Sequence, residues 1–330
     1  MRKQQDQMTA GSIVTIGEIL VEVMATTLGE GFLEPQPLIG PYPSGAPAIF
    51  IDQVGKLGVP AAIVSAVGDD DFGRLNLDRL KRDGVDVSAV AVLAGAATGS
   101  AFVRYRADGA RRFVFNMRDS AAGRIAATAE AGRVLAAAAH LHVMGSGLPM
   151  PAVQAMVQAT IPALKARGGT VSFDPNIRPE MLGDAVGRAA LEKVLAASDL
   201  FLPSGAELAL VAPGADENDV VARLLGAGIR EIVLKRGSAG ATHFDRDGRT
   251  DMPGFLVEEV DPTGAGDSFG ATFLVARRAG FGVARALRYA NAAGARTVTI
   301  RGPMEGTSTF AELDAFMAGA VVAGAVMGSL

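Results

Sequence analysis

The sequence contains no cysteine, and this absence excludes disulfides, thiolate catalysis and sulfur ligands for a metal ion. Histidine is scarce too: only His140, His142 and His243 occur, too few and too clustered for a metal site built on imidazole. His142 alternates with Leu141 and Val143 in a predicted strand, so we interpret it as a core residue. A chain without cysteine is compatible with a reducing cytoplasm, which is the location that we expect.

Charged patches and long apolar runs are also missing. Lysine and arginine (31) nearly balance aspartate and glutamate (35), and no basic or aromatic-rich stretch occurs, so we expect no nucleic-acid partner. Residues 1–11 are polar and lack the apolar segment of a secretory signal, so we expect a flexible N-terminus there. The uncharged run from Ala315 to Leu330 is shorter than the roughly 20 residues that span a bilayer, which favours a docked terminal helix and no membrane partner.

The sequence does contain enough apolar side chains for a large core, since 49% of its 330 residues are hydrophobic. Predicted strands alternate with helical segments of about 10–15 residues, which is typical of an α/β protein with a mostly parallel sheet. We therefore predict a three-layer α/β/α fold. No repeat or linker divides the sequence, so residues 12–330 are predicted to form one domain.

A glycine-rich turn near the C-terminal end carries the strongest signal for function. Residues 255–260 predict a strand and residues 271–276 an apolar-faced helix, and Asp261–Gly270, with the sequence DPTGAGDSFG, joins them. Backbone N–H groups at a helix start have no partner inside the helix and carry the positive end of its dipole. Gly264 and Gly266 would let that backbone approach a bulky anion without a Cβ in the way.

Asp267 is the unusual member of this turn, because a carboxylate repels an anion. Abstraction of a proton from a hydroxyl next to a phosphate would explain its presence. The structural alternative is that aspartate is a good residue at a helix start and that such glycine turns are common. The spacing Gly-x-Gly-x-x-x-Gly is one residue longer than the dinucleotide fingerprint and no P-loop pattern occurs, which argues against a nicotinamide dehydrogenase and an ordinary P-loop enzyme.

The same segment resembles the C-terminal signature of the ribokinase-like (PfkB-type) carbohydrate kinases, Asp-x-Thr-Gly-Ala-Gly-Asp-x-Phe. The resemblance implies a ribokinase-like fold with a small β-sheet lid, with ATP as the phosphoryl donor and Mg²⁺ as its metal. It also implies that Asp267 is the catalytic base and that the backbone of Gly264, Ala265 and Gly266 forms an anion hole. Further matching segments extend over nearly the whole chain, from Gly17 to Gly306.

Segments near the N-terminus resemble the sugar-binding part of the family, with two departures. The family carries an acidic residue where its first strand ends near the sugar, and Glu18 and Glu22 are both candidates for it. The run from Ser44 and Gly45 to Ile49 resembles the signature Gly-Gly-x-x-x-Asn, which touches the sugar. Ser44 replaces the first glycine and Ile49 the asparagine, so we expect a substrate subsite that differs from that of the commonest members.

A β-hairpin is predicted within residues 98–115, which have a period-two character around Asp108-Gly109. By resemblance, residues 19–45 and 95–118 form the lid over the sugar, and two copies are expected to pair through it. A lid excludes the water that would otherwise accept the phosphoryl group.

The stretch Asn116–Ala122 closes the predicted lid and resembles the Arg-x-x-Ser-Ala segment of 2-keto-3-deoxygluconate kinases and fructokinases. Arg104 and Arg118 are therefore candidates to bind a substrate carboxylate or ring hydroxyls. A surface ion pair is an equally good interpretation of either arginine.

The remaining matches would contact substrate, nucleotide or metal. By resemblance, Asp174 and Arg178 would face the substrate, Ser204, Lys235, Gly237, Gly240, Thr263, Gly264, Gly266 and Asn291 the nucleotide, and Glu207 and Asp261 a metal ion. Ser204 stands where the family has asparagine, which weakens the assignment of Glu207 to magnesium. Asp261 and Thr263, with backbone near residues 298–302, could also hold a monovalent cation such as K⁺.

The resemblance as a whole implies an ATP-dependent sugar kinase, nearest to fructokinases, tagatose kinases and 2-keto-3-deoxygluconate kinases. Fructose, tagatose and 2-keto-3-deoxygluconate are not ranked, because the deciding residues lie in the divergent lid. A nucleoside kinase of the same fold is one alternative, and the lid arginines count against it. A non-catalytic sugar- or nucleotide-binding regulator is another, suggested by Ile49 and Ser204 and opposed by Asp267. Turnover over a panel of ketoses, sugar acids and nucleosides separates the three.

Overall fold

The computed structural model describes residues 11–108, 110–176, 185–205, 207–208 and 214–323. The predicted flexible N-terminus and Arg178 therefore lie outside the described residues, apart from Gly11. The strands in the described part are β1 (Ser12–Ile16), β2 (Leu20–Ala25), β3 (Leu38–Ser44), β4 (Ala61–Gly68), β5 (Val85–Asp86), β6 (Val90–Leu93), β7 (Gly99–Tyr105), β8 (Arg111–Asn116), β9 (Ala138–Met144), β10 (Thr170–Asp174), β11 (Leu200–Phe201), β12 (Glu231–Lys235), β13 (Ala241–Asp245), β14 (Gly248–Met252), β15 (Phe255–Leu256) and β16 (Val321–Val322). The helices are α1 (Ala46–Lys56), α2 (Asp71–Arg82), α3 (Ala129–Ala137), α4 (Pro151–Ala166), α5 (Ala185–Ala197), α6 (Glu217–Gly226), α7 (Ala265–Arg278), α8 (Val283–Val298) and α9 (Phe310–Gly319).

A ten-stranded sheet forms the centre of the molecule, with the order β14-β13-β12-β11-β10-β9-β1-β4-β5 and with β6 paired to β4. Its pairs from β12 through β5 are parallel, whereas β13 and β14 extend one edge as an antiparallel hairpin. Because successive strand residues point to opposite faces, Ile13 and Val14 of β1 enter two different apolar clusters, one on each side of the sheet. The predicted three-layer α/β/α fold with a mostly parallel sheet is confirmed.

A second, four-stranded sheet, here called the lid sheet, has the order β3-β2-β7-β8. The pairs β2–β3 and β7–β8 are antiparallel, and β2–β7 is parallel. The hairpin predicted around Asp108 is present, since β7 and β8 pair from Ser100 with Asn116 to Tyr105 with Arg111. All four strands lie within the two segments predicted to form the lid, and strand ends of the two sheets face one cavity.

Two expected elements are shorter than their patterns indicate. The strand predicted over residues 255–260 is limited to β15, which pairs with β16 instead of joining the main sheet. The edge of that sheet is already occupied by β13 and β14, and the N–H groups of Val260 and Asp261 both bond to the carbonyl of Val298. Of the terminal helix expected within residues 315–330, the described part is helical only as far as Gly319, where α9 (Phe310–Gly319) ends, and residues 324–330 lie outside the described residues.

The core position of His142 is confirmed: the side chain is fully buried and stacks on Phe50 with ring centres 3.5 Å apart. Its Nδ1 is hydrogen-bonded to the hydroxyl of Ser172 at 2.7 Å. Burial lowers its pKa well below the ordinary value, so the imidazole is neutral. No helix in the described part of the chain is both long enough and apolar enough to cross a membrane.

Candidate active site

A cavity of about 930 Å³ lies where β1, β10, β11 and β12 end, with the lid sheet on its other side. The carboxyl ends of parallel strands are where open α/β sheets bind ligands. The residues proposed from sequence that line it are Glu18, Ser44, Gly45, Arg118, Asp174, Ser204, Glu207, Lys235, Gly237, Thr263, Gly264, Gly266 and Asp267. One cavity therefore collects side chains from positions spread over most of the chain.

The glycine turn begins α7 inside this cavity. Gly264 is the residue before the first turn of the helix and has a φ of 83°, a left-handed conformation that favours glycine. A Cβ on Gly264 would lie 2.3 Å from the carbonyl oxygen of Pro303, so no other residue fits without a shift of the backbone. Gly264 and Gly266 therefore line the cavity at the start of α7, at a place where no side chain of residue 264 blocks the approach of an anion.

Asp267 lies in the first turn of α7 and is 8% exposed. The side-chain amide of Asn176, which follows β10, donates to Asp267 Oδ1 over 3.4 Å. The carboxylate is thus held at the same end of the cavity as the helix N-terminus. A group that accepts protons and a group that binds anions are side by side, which is the arrangement that transfer of a phosphoryl group to a hydroxyl requires.

An ion pair closes the floor of the cavity, with Lys235 Nζ 2.5 Å from Asp174 Oδ2. Burial lowers the pKa of Lys235, but the nearby carboxylates of Asp174 and Glu207 outweigh it, so the pKa is raised. The ammonium group is therefore a fixed positive charge among carboxylates. Such a charge is suited to the phosphate groups of a nucleotide.

Burial raises the pKa of the Asp174 carboxyl to about 6, although Lys235 acts against it. The folded carboxyl binds its proton more tightly than the unfolded one, so the proton stabilises the fold, and that contribution is lost as pH rises from about 4 to 6. We expect the free energy of unfolding of the wild type, relative to Asp174→Asn, to fall by about 2 kcal/mol between pH 4 and pH 7. Urea unfolding at several pH values measures this difference; a difference that rises with pH would contradict the raised pKa.

The cavity lining also contains two glutamates that are each 3% exposed. Glu18 accepts a hydrogen bond from the hydroxyl of Ser146 at 2.7 Å. Glu22 accepts from the hydroxyls of Ser44 and Thr263, both at 3.4 Å. The sequence left open which glutamate faces the ligand, and the structure places both carboxylates in the lining.

A family model described as "pfkB family carbohydrate kinase" matches residues 10–309. The chain belongs to this family of carbohydrate kinases.

Individual relatives agree with the family. The kinase is 31% identical over 312 residues to Fructokinase-1 of Oryza sativa subsp. japonica, covering 91% of this chain and 96% of the relative. An E. coli protein provisionally called ribokinase II has a similar structure, with a TM-score of 0.89 and 46% identity over 93% of this chain and 99% of its own. A second structure of that E. coli protein, in complex with ATP and Mg²⁺, gives a TM-score of 0.88 over the same shares of the two chains.

Not every residue proposed from sequence lines the cavity of this kinase. Ala265, Gly240, Asp261, Asn291 and Arg104 lie outside the lining among the described residues. The Asn291 amide donates to the carbonyls of Met252 and Pro253, at 3.2 and 3.0 Å, and so links α8 to the end of β14 and the residue after it.

The hydrogen bonds of Arg104 in this kinase also go mainly to the protein backbone. Its guanidinium donates to the carbonyls of Thr27 and Leu28, at 3.3 and 3.0 Å, and to that of Gly31. Glu34 lies 3.7 Å away. The arginine therefore holds the loop between β2 and β3, which leaves Arg118 as the lid arginine of the original pair that lines the cavity.

Four lining or neighbouring residues of the kinase were missed from the sequence: Tyr105, Arg111, Ser146 and Asn176. Ser146 follows the end of β9 and Asn176 the end of β10, so polar residues just after buried strands were the signal that could have identified them. Tyr105 and Arg111 flank the tip of the hairpin in the lid sheet, and no pattern along the sequence places that tip against the glycine turn.

Proposed function

We propose that this PfkB kinase transfers the γ-phosphoryl group of Mg·ATP to a hydroxymethyl group of a neutral ketose, with fructose and tagatose ahead of 2-keto-3-deoxygluconate. The observation that carries the proposal is one cavity whose lining contains Asp267, the start of α7 and the buried carboxylates of Glu18 and Glu22. Carboxylates accept hydrogen bonds from hydroxyls and repel a sugar acid.

The proposed reaction begins with the sugar hydroxymethyl group beside Asp267. The carboxylate takes the hydroxyl proton as the oxygen forms a bond to the γ-phosphorus, and the bond from that phosphorus to the β,γ-bridging oxygen breaks, which leaves ADP. The N–H groups of Gly264–Gly266 would bind the charge that develops on the phosphoryl oxygens, and Lys235 would lie along the phosphates. A single donor of this kind is typically worth about 3 kcal/mol in the transition state.

Magnesium fits the donor set of the cavity. Glu207 is 8% exposed, lines the cavity and accepts the backbone N–H of Ser204 at 2.7 Å, so its carboxylate is oriented. One such carboxylate with waters and phosphate oxygens is the usual environment of Mg²⁺. The ion, when bound, neutralises charge on the phosphates. Ser204 offers only its short hydroxyl where the family has an amide, so Glu207 is the residue that we assign to the ion's water shell.

The Asp261 carboxylate is poorly suited to a monovalent cation, because both of its oxygens already accept hydrogen bonds from the protein. Oδ1 accepts from the hydroxyl of Tyr105 and from the N–H of Thr263, and Oδ2 accepts from the N–H of Gly302. The carbonyl of Val298 accepts two N–H groups. We therefore propose no step that requires K⁺. Pairing of two copies through the lid sheet and a cytoplasmic location stay predictions.

The test is ADP release, measured with a coupled assay over fructose, tagatose, 2-keto-3-deoxygluconate, ribose and adenosine. We expect kcat/KM for one of the two ketoses to exceed that for the sugar acid by at least about tenfold, the effect of roughly 1.4 kcal/mol of repulsion and lost hydrogen bonds. The Glu22→Gln variant should lower the ratio of kcat/KM for the ketose to kcat/KM for the sugar acid, because it removes one negative charge from the cavity lining. A preference for the sugar acid or for adenosine would refute the proposal.

A further inference from the structure

The turn before α7 is held by side chains from the lid sheet. Tyr105, the last residue of β7, donates its hydroxyl to Asp261 Oδ1 over 2.7 Å. Arg111, the first residue of β8, donates to the hydroxyl of Thr263 at 3.4 Å, and that hydroxyl donates to Glu22 of β2 at 3.4 Å. Three strands of the lid sheet therefore contact two residues of the segment that leads into the glycine turn.

The bond between Tyr105 and Asp261 is buried and charge-assisted. Asp261 is 1% exposed, and its other bonds come from the N–H groups of Thr263, at 3.0 Å, and Gly302, at 2.9 Å. Burial, together with the adjacent carboxylate, raises the pKa of Tyr105, so the phenol keeps its proton and acts as a donor. Hydrogen bonds to ionised acceptors in such surroundings are among the stronger ones in proteins.

The backbone from Asp261 to Gly264, which leads into α7, is held at both ends. Three residues after Asp261 comes Gly264, whose left-handed backbone lies against the carbonyl of Pro303. Gly302, the residue before that proline, is the one that donates to Asp261. The loop around Gly302 therefore contacts both ends of the segment, and a displacement of the Asp261 carboxylate would be transmitted to the first N–H groups of the helix.

We propose that Tyr105 is a positioning residue for phosphoryl transfer: its hydrogen bond to Asp261 lets the lid sheet hold the N-terminus of α7 in the place where the γ-phosphoryl group binds. This rests on the proposed function for the role of α7. Tyr105 acts through Asp261 and lies outside the cavity lining. This hydrogen bond couples the position of the lid sheet to the position of the glycine turn.

Tyr105→Phe tests the proposal, because it removes the hydroxyl and preserves the ring. Tyr289→Phe is the matched control: Tyr289 donates to Asp314 at 2.5 Å in another tyrosine–aspartate pair, between α8 and α9 and away from the cavity. Binding of Mg·AMP-PNP, which carries a γ-phosphoryl group, and of Mg·ADP, which lacks one, is measured by calorimetry without sugar. Thermal unfolding of both variants verifies that they are folded.

For Tyr105→Phe we expect about tenfold weaker binding of AMP-PNP with ADP affinity changed by less than about twofold, and about tenfold lower kcat with fructose. Tyr289→Phe should bind both nucleotides and turn over fructose as the wild type does. If Tyr105→Phe lost affinity for AMP-PNP and for ADP to the same extent, the role of Tyr105 would be merely structural and the proposal would be overturned. Unchanged affinity for AMP-PNP would also overturn it. The binding arms need no sugar, so they decide this inference even if no sugar of the panel is phosphorylated.

A double-mutant cycle with Asp261→Ala, which removes the acceptor, decides whether Tyr105 acts through Asp261. In the Asp261→Ala background, Tyr105→Phe should weaken AMP-PNP binding by less than about twofold, because the carboxylate that the Tyr105 hydroxyl bonds to is already absent. Additive effects of the two substitutions would mean that Tyr105 acts by another route, and the proposal would be wrong.

Discussion

Replacement of Asp267 by asparagine is expected to lower kcat by about 10³-fold, within the range typical of losing a general base. Asparagine has nearly the same shape as aspartate and cannot accept the hydroxyl proton. The amide of Asn176, which now donates to this carboxylate over 3.4 Å, can still bond to the asparagine oxygen, so the local structure should persist. ADP release with fructose measures kcat, and calorimetry with Mg·AMP-PNP should show an affinity close to that of the wild type.

Asp216→Asn is the control for this substitution. Asp216 caps α6 by accepting the N–H of Asn218, it lies outside the cavity lining, and asparagine caps helices as well as aspartate does. This variant should keep wild-type kcat. If Asp267→Asn also kept it, the assignment of the base would be wrong; if it lost nucleotide affinity instead of turnover, the carboxylate would act in binding rather than in proton transfer.

Replacement of Gly264 by alanine should have the second large effect, on stability and activity together. A φ of 83° costs a residue with a Cβ about 1–2 kcal/mol, and the Cβ would lie 2.3 Å from the Pro303 oxygen and 3.2 Å from Ile49 Cγ2. Displacement of that backbone adds a further cost of roughly 1–3 kcal/mol. We expect the free energy of unfolding to fall by about 3 kcal/mol and kcat by about 10²-fold, because the displaced N–H groups no longer meet the phosphoryl oxygens.

Gly58→Ala separates the cost of a side chain on a left-handed backbone from the cost of the contact with Pro303. Gly58 has a φ of 80° in the loop after α1, and a Cβ there would meet nothing within 4 Å. It should cost about 1 kcal/mol of stability and leave kcat unchanged. Urea unfolding and ADP release of both variants give the comparison. Equal destabilisation by the two substitutions would show that the contact with Pro303 relaxes without cost and would weaken the argument for a rigid turn.

The layered fold and the glycine turn could be predicted from the sequence because their signals are local. Alternation of strands and helices indicates a parallel sheet, and residues at the carboxyl ends of buried strands, such as Asp174 and Lys235, are brought to one edge of that sheet by topology alone. The short pairing of Phe255–Leu256 with the C-terminal segment could not be predicted, since it depends on which strands already occupy the sheet edge.

The contacts that long side chains make in the site could not be predicted from the sequence. Arg104 and Arg118 both lie in the predicted lid, but only the tertiary contacts show that Arg104 binds carbonyls of the neighbouring loop and that Arg118 lines the cavity. The same holds for Tyr105, whose acceptor lies 156 positions further along the chain. Such pairings arise from the docking of the lid sheet on the main sheet, for which no short-range pattern exists.

The central place of β1 in the main sheet has a consequence for co-translational folding. This N-terminal strand lies between β4, which follows soon after it, and β9, which begins only at Ala138. While the ribosome is releasing the chain, a buried apolar strand therefore has one open edge until β9 emerges, and such edges invite pairing with other chains. Strands β1, β4 and β9 are all synthesised well before the glycine turn at Asp261–Gly270. The open edge of β1 is therefore a hazard of early synthesis, and chaperone protection of that edge is needed between the release of β4 and the release of β9.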